Sequence, residues 1–446
     1  MKLSIQIIVL LLISTITSFA QKPKYVVIIS IDGFRPEFYK DPSWNAINLQ
    51  EIAAKGIYAD GVRGVLPTVT YPSHTTIITG KFPAKHGIYY NTPFETKEQI
   101  GELGYTDSRR IKTETLWDAA HKKGLKTASV LWPVSVNAPI DYNMSDAARD
   151  TKLPDPLSPF RDHAFPAGLF EEMEKKATGH LQNEDLNGHL TADDNLARMA
   201  SYLIETYKPN LTTVHLVAVD HYAHAEGRMG TNVKKAVANI DRNIGRIIEA
   251  TERAGIKDST AFLIVGDHGF VNIHTQLAPN TILAKAGLVS KSLQNGNWKA
   301  QFFQQGGSTF LYLKDKNDKK TLNMVISTIN NMPSGQRKLF RIIERKELDQ
   351  TGADPNITLA LAAVPGVSFI NATEGPVVTS GSGGTHGHFP DFGEIETGFL
   401  AFGTGLNTNK IIHQMGLEDI APIVAALLDL QLTDIDGVLY PGLLKP

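Results

Sequence analysis

The chain has no cysteine in its 446 residues. That excludes a disulfide framework, and it excludes a lipid anchored through a cysteine behind a cleaved leader. Neither sign of charge is in surplus: 44 Lys and Arg stand against 46 Asp and Glu, a formal net charge of −2. A general nucleic-acid binder needs a basic excess to neutralise phosphates, so no nucleic-acid polymer is expected as partner. After the first twenty residues no apolar run is long enough to cross a bilayer. Internal repeats and low-complexity tracts are also missing.

What the amino terminus does have is a leader pattern. Lys2, the apolar stretch from Leu3 to Ile16, and Ser18-Phe19-Ala20 before Gln21 read as a secretory signal over residues 1–20. The expectation is an exported protein, periplasmic or extracellular, with no stable membrane span after cleavage. Residues 21–446 are ordinary in composition for a globular chain, with 42% hydrophobic and 20% charged residues overall. They are too many for one simple core, so one large domain with insertions is expected, the insertions at about 91–209 and 272–381.

Strand and helix signals alternate. Tyr25–Ile31 is a continuous apolar run, as a parallel strand buried on both faces requires. Leu211–Val219, Ala261–Val265, Lys126–Leu131 and Thr397–Phe402 read as further strands. Asn232–Ala254 keeps helical apolar spacing through Val233, Ala236, Val237, Ile240, Ile244 and Ile247. Helices are also predicted over Trp44–Lys55, with Ile47, Ile52 and Ala53 inward, and over Ser73–Thr79, Glu114–Lys123 and Ile420–Leu428. The pattern predicts an α/β fold, a mostly parallel sheet with helices on both faces.

Acids and imidazoles stand where those strands end. Asp32 follows Ile31. Asp220 follows Val219, with His224 four residues on, and Asp267-His268 follows Val265-Gly266. The loop Gly383–His388 adds His386 and His388. The carboxyl ends of strands are where open α/β sheets place their chemistry, and Asp with His is a ligand set for zinc-like divalent metals. Thr70, in Pro67-Thr-Val-Thr-Tyr-Pro-Ser-His74, precedes a helix whose positive end would favour an alkoxide and a phosphate. Thr68 and Ser73 compete locally with Thr70, and a threonine hydroxyl needs help, such as a metal, to act as a nucleophile.

These segments together resemble the nucleotide pyrophosphatase/phosphodiesterase family of the alkaline phosphatase superfamily. The resemblance rests on Ile31-Asp-Gly-Phe-Arg35, Pro67–His74, Thr79-Gly80, His86-Gly-Ile88 with Asn91, Leu131-Trp-Pro133, Asp220 with His224, Gly266-Asp-His-Gly269 and Gly384-Thr-His-Gly387, in the family's order. It implies an alkaline-phosphatase-like core and two zinc ions. Asp32, Asp267 and His268 would hold one ion, with Thr70 facing it, and Asp220, His224 and His386 would hold the other. It further implies Thr70 as the nucleophile that forms a phospho-threonine, with Asn91 and the backbone N–H of Tyr71 holding a non-bridging oxygen. The departures lie beside the ligands: Tyr71-Pro-Ser-His74 where Phe-Pro-Asn-His is common, Ala223 before His224, Ala225-Glu-Gly-Arg228, and Gly387-His-Phe-Pro390. His221 and His388 are read as spare imidazoles.

A small-molecule phosphodiester or pyrophosphate, nucleotide-type first, is therefore the expected substrate. A phosphomonoesterase is the rival, and Arg35 and Lys112 are the cations that could hold its extra charge. An exported, non-catalytic metal- or ligand-binding protein is the second alternative. A sulfatase is disfavoured, because there is no cysteine to become formylglycine and no Ser-x-Pro-x-Arg replaces it. Trp132 and Tyr142 are candidate walls of an aromatic slot beside Thr70.

Overall fold

Strand Tyr25–Ile31 lies at the centre because both of its faces find apolar cover. Val27, Ile29 and Ile31 enter one core, and Val26 and Ile28 enter another on the opposite side of the sheet. Each such side chain removed from water contributes about 1.5–3 kcal/mol. The computed structural model describes residues 22–94, 104–147, 151–290 and 297–446, so the leader expected over 1–20 lies outside the described residues.

The central sheet has eight strands. Their spatial order is Lys410–Ile412, Ile57–Ala59, Phe399–Gly403, Thr260–Gly266, Tyr25–Ile31, Leu211–Leu216, Thr127–Val130 and Tyr142–Met144. All neighbours pair in parallel except at Phe399–Gly403, which runs antiparallel to both of its partners. Helices Leu190–Tyr207 and Thr231–Arg253 cover one face. Thr70–Thr79, Leu116–Lys122 and Ile420–Leu428 cover the other. The expected fold class is the one observed.

Several expectations need correction. The stretch 91–209, read as inserted, supplies the strands Thr127–Val130 and Tyr142–Met144, so that part of it belongs to the central sheet. The helix read over Trp44–Lys55 is Ile47–Lys55, and Ile47 lies outward, 64% exposed. The Asp241 carboxylate accepts the N–H groups of Asn48 and Leu49 and pins the first turn, which leaves Leu49 and Ala53 as the buried positions. Leu116–Lys122 begins where Thr115 and Asp118 close a capping box.

Residues 272–381 carry a four-stranded antiparallel sheet in the order Ala300–Gln305, Ser308–Leu313, Leu359–Ala363, Phe340–Ile343. Alternation splits it cleanly. Leu311 and Leu313 turn to a core that includes Val325 and Ile329 of helix Lys319–Asn330, while Phe310 and Tyr312 turn to Tyr90, the neighbour of Asn91. Tyr90 Oη and Tyr312 Oη lie 2.8 Å apart, and Tyr312 donates to Asp354. The smaller sheet thereby braces the loop that holds Asn91.

Candidate active site

Register brings the acids to one edge. Ile31 is level with Leu216 on one side and with Gly266 on the other, so Asp32, Asp267 and the segment after Leu216 emerge together. Gly266 has to be glycine: a Cβ there would run into Thr397 Oγ1 and Phe34 Cβ. The strand expected to reach Val219 stops at Leu216. Asp193, buried in helix Leu190–Tyr207, accepts the N–H groups of Val217 (2.7 Å) and Ala218 (3.2 Å), and the chain turns into helix Ala218–Glu226. Asp220 and His224 then share one face of that helix, with Nε2 of His224 3.3 Å from Oδ1 of Asp220.

His386 reaches the same carboxylate from its loop, with Nε2 3.5 Å from Asp220 Oδ1. His268 Nε2 is 3.3 Å from Asp32 Oδ1 and 3.2 Å from Asp267 Oδ2. The His268 and His386 rings stack with centroids 3.7 Å apart. All six residues read from the sequence as metal ligands are therefore gathered. Two triplets offer ligand atoms within 4.8 Å of one another: Asp220, His224 and His386, and Asp32, Asp220 and His268. Asp220 takes part in both.

The imidazoles are turned alike. Nδ1 of His224 donates to Gly384 O, Nδ1 of His268 to Gly269 O, and Nδ1 of His386 to Thr68 O, at 3.2, 3.1 and 3.0 Å. A carbonyl can only accept, so each Nδ1 carries a proton and each Nε2 is turned inward, where the neutral ring offers a lone pair in the orientation of a metal ligand. The Nε2 of His268, and the carboxylate oxygens Asp32 Oδ1, Asp220 Oδ1 and Asp267 Oδ2, are buried without a hydrogen-bond partner. Burial, then Asp267 and Asp220, push the Asp32 carboxyl well above its usual range, and burial also raises Asp267. Burial acts the same way on Asp220, but the His224 imidazole, itself shifted up by this carboxylate, holds its carboxyl below the usual range. Burial keeps His386 neutral. Inward-turned ring nitrogens facing crowded carboxylates, with Asp32, Asp267 and His268 buried and Asp220, His224 and His386 reaching solvent, call for cations between them, so the donor set fits divalent metal.

Thr70 is the first residue of helix Thr70–Thr79, which begins three residues before the predicted start; Pro72 is accommodated because it falls in the first turn. Val69 offers no side-chain cap. Asn91 supplies it from a distance, its Oδ1 accepting Tyr71 N–H at 2.8 Å while its Nδ2 lies 3.4 Å from Thr70 Oγ1. The Tyr71 N–H, expected to be open to a phosphoryl oxygen, is thus engaged by Asn91. Thr68 donates its hydroxyl to His388 O, and Ser73 is fully buried, which leaves Thr70 of the three candidate hydroxyls.

Four residues that sequence reading passed over support these groups. His74 donates from Nδ1 to Thr70 O (2.8 Å) and accepts at Nε2 from Ser30 (2.8 Å), with Nδ1 3.7 Å from Asp267 Oδ2. His215 Nε2 meets Asp32 Oδ2 at 3.2 Å. The signals were the i, i+4 spacing of Thr70 and His74, and a lone imidazole inside the apolar run Val214-His215-Leu216. Asp193, and Arg228, whose guanidinium pairs with Glu37 and Glu394, gave no local signal.

Other expectations separate from the site. His388 bonds Val367 O through Nε2, and the His221 ring packs against His189 and Tyr222. Trp132 is fully buried behind His74, and Tyr142 stacks on Tyr207, so neither walls a slot. A cleft of about 700 Å3 opens instead onto His224, His386 and Asn91, with Phe303, Gln276 and Gln305 among its walls.

The family model described as type I phosphodiesterase/nucleotide pyrophosphatase matches residues 26–388. The mouse ectonucleotide pyrophosphatase/phosphodiesterase family member 3 is 25% identical over 248 residues, covering 55% of this chain and 24% of that protein. The venom phosphodiesterase of Crotalus durissus collilineatus is 22% identical over 438 residues, covering 94% of this chain and 46% of that protein. The chain thus spans less than half the length of these relatives. Among solved structures, human ectonucleotide pyrophosphatase/phosphodiesterase 5 superposes with a TM-score of 0.67 at 18% identity, over 93% of this chain and 97% of that one. The murine counterpart, as an inactive threonine-to-alanine variant in complex with AMP, gives a TM-score of 0.66 at 18% identity over the same shares of the two chains.

Proposed function

The chain belongs to the type I phosphodiesterase/nucleotide pyrophosphatase family, and on that premise we propose that it hydrolyses phosphodiester or pyrophosphate bonds, of nucleotide-type substrates first, through a covalent phospho-threonine at Thr70. The observation that carries this reading is the convergence of three inward-turned imidazole Nε2 atoms and three crowded carboxylates at the sheet edge that faces the Thr70 helix. In this reading Asp32, Asp267 and His268 would hold one zinc ion and Asp220, His224 and His386 a second. Zinc there supplies charge stabilisation for the attacking and leaving oxygens.

The chain's own groups do the rest. Thr70 Oγ1 forms a bond to phosphorus while the bond to the leaving oxygen breaks. Nδ2 of Asn91, oriented by its cap on Tyr71, donates to a non-bridging oxygen. The start of helix Thr70–Thr79 adds a favourable dipole. His74 ties the Thr70 carbonyl to the Asp267 side of the site, and His215 steadies Asp32. Water then cleaves the phospho-threonine.

A monoesterase would use a cation for the second phosphate charge. Arg35 is spent elsewhere, with Nε 2.9 Å from Glu37 Oε1 and its guanidinium over Phe38 and Trp44, and Lys112 sits over Tyr89. The proposal includes export, which the leader pattern at 1–20 supports; a mature amino terminus at Gln21, found by mass spectrometry of secreted protein, checks it.

Turnover of bis(p-nitrophenyl) phosphate against p-nitrophenyl phosphate is the primary test, and preference for the monoester overturns the diesterase assignment. Thr70→Ala should abolish turnover with metal content intact; unchanged activity in that variant removes the mechanism, and no activity in the wild-type enzyme favours the non-catalytic alternative. Chelation should remove activity and lower the melting temperature, and added zinc should restore both.

A further inference from the structure

The cleft beside His224 and His386 has uncharged walls. Among the described residues lining its roughly 700 Å3 none is lysine, arginine, aspartate or glutamate. Its polar lining is amide and hydroxyl instead, brought in from separate elements. Gln276 stands opposite Ser368 and Thr379 in the short sheet Val367–Phe369, Thr275–Leu277, Val378–Ser380. Its neighbour Leu277 is buried in the smaller core, and alternation turns Gln276 the other way, into the cleft wall. Oε1 of Gln304 accepts Gly306 N–H at 3.1 Å, and Oδ1 of Asn371 accepts Asn280 Nδ2 at 3.2 Å. Both carbonyl ends are occupied within the protein, which leaves the NH2 ends to meet acceptors in the cleft. Phe303 adds an apolar face.

Such a wall suits one class of group. A phosphodiester bears a single negative charge at phosphorus, next to the proposed metal ligands. A pyrophosphate leaving group would carry further anionic charge past the proposed metal and against walls that, among the described residues, offer no lysine or arginine, at the cost of its hydration. Sugar and glycerol hydroxyls, by contrast, match neutral amides, and the volume lies in the range that takes a ligand of nucleoside size. The cleft touches His224 and His386 but not Asp32, Asp267 or His268, and Asp267 is the acid tied through His74 to Thr70. The cleft also reaches Val69 and Asn91 beside Thr70, so it spans the reacting phosphorus; in-line displacement puts the leaving oxygen opposite Thr70, and we take the His224–His386 end of the cleft as that side.

We propose, resting on the phosphodiesterase reading above, that this cleft receives the leaving group and selects an uncharged, hydroxyl-bearing one, a nucleoside or a glycerol, over a phosphorylated one. For adenylyl-3′,5′-adenosine the bond from Thr70 Oγ1 to phosphorus forms as the bond from phosphorus to the 3′-oxygen breaks. That oxygen leaves with the electron pair and takes up a proton, releasing adenosine. Water then cleaves the Thr70 ester and releases AMP.

Adenylyl-3′,5′-adenosine, the glyceryl ester of AMP and ATP transfer the same adenylyl group and differ in what leaves. The purified full chain should show kcat/KM at least tenfold higher for one or both neutral partners than for ATP, although pyrophosphate is chemically the better leaving group. Whether the nucleoside or the glyceryl ester leads distinguishes the two sources. Gln276→Lys should move the ratio at least tenfold toward ATP, with Gln305→Lys as the alternative if the first variant does not fold. Calorimetry on the Thr70→Ala enzyme should show the same shift in relative Kd without turnover. Preference of the wild type for ATP, or a ratio that neither lysine moves, overturns the proposal. Failure of bis(p-nitrophenyl) phosphate and of all three esters overturns the phosphodiesterase reading itself, and the proposal with it.

Discussion

Asn91 accepts the backbone N–H of Tyr71 through Oδ1 at 2.8 Å, and this single bond aims its Nδ2 at Thr70 Oγ1, 3.4 Å away. Cap and proposed phosphate donor are thus two ends of one amide. Asn91→Asp keeps the cap and loses the donor, whereas Asn91→Ala loses both. Both variants should lose about 10²–10³ in kcat, the usual effect of removing one such donor, while only Asn91→Ala should also unfold earlier, by about 1 kcal/mol. Steady-state kinetics with urea denaturation separates the two; wild-type kcat in Asn91→Asp removes the donor role.

Arg228 stands where three loops that follow candidate metal ligands meet. Its guanidinium pairs with Glu37 (2.7 Å) and Glu394 (3.0 Å), its carbonyl accepts from Arg35, and its N–H donates to Asn272. Arg228→Ala should cost about 1–2 kcal/mol of stability, discounted because both acids are partly exposed. It should also weaken metal retention in a competition with a chelator, while Arg228→Lys recovers part of each.

Asp193 gives a pH dependence with a definite sign. Burial pushes its carboxyl up to about 7, against the two N–H groups that favour its charged form. The folded value lies above the unfolded one, so the folded state binds the proton more tightly. Its contribution is fully present below about pH 4 and is lost as pH rises from there to about 7. Relative to Asp193→Asn, the wild type should therefore lose stability across that window, by at most about 1.4 kcal/mol per pH unit. Urea unfolding of both proteins at several pH values measures it, and parallel curves would exclude the effect.

Much of the candidate site was legible because its carboxylates follow unbroken apolar runs. Tyr25–Ile31 and Ala261–Val265 needed only hydrophobicity to be recognised, and Asp32 and Asp267 come directly after the strands. Helix Thr231–Arg253 was legible within a residue at each end because its apolar spacing is regular. His74 and His215 were harder to find, since a buried imidazole looks like any other core residue until its partners Ser30 and Asp32 are seen. The end of strand Leu211–Leu216 was not legible at all, because Asp193, which ends it, lies on another helix.

The sequence by itself determined the mostly parallel α/β core and the order of the segments that carry the candidate ligands, since apolar period and residue type are local properties of the chain. Tertiary structure decided the rest: that Asn91 occupies the Tyr71 N–H, that Arg35 faces Glu37 and not the site, that Trp132 lies behind His74, and that the cleft is walled by neutral amides. Each of these depends on which distant side chain fills a hydrogen bond or a space, and only the folded chain fixes that choice.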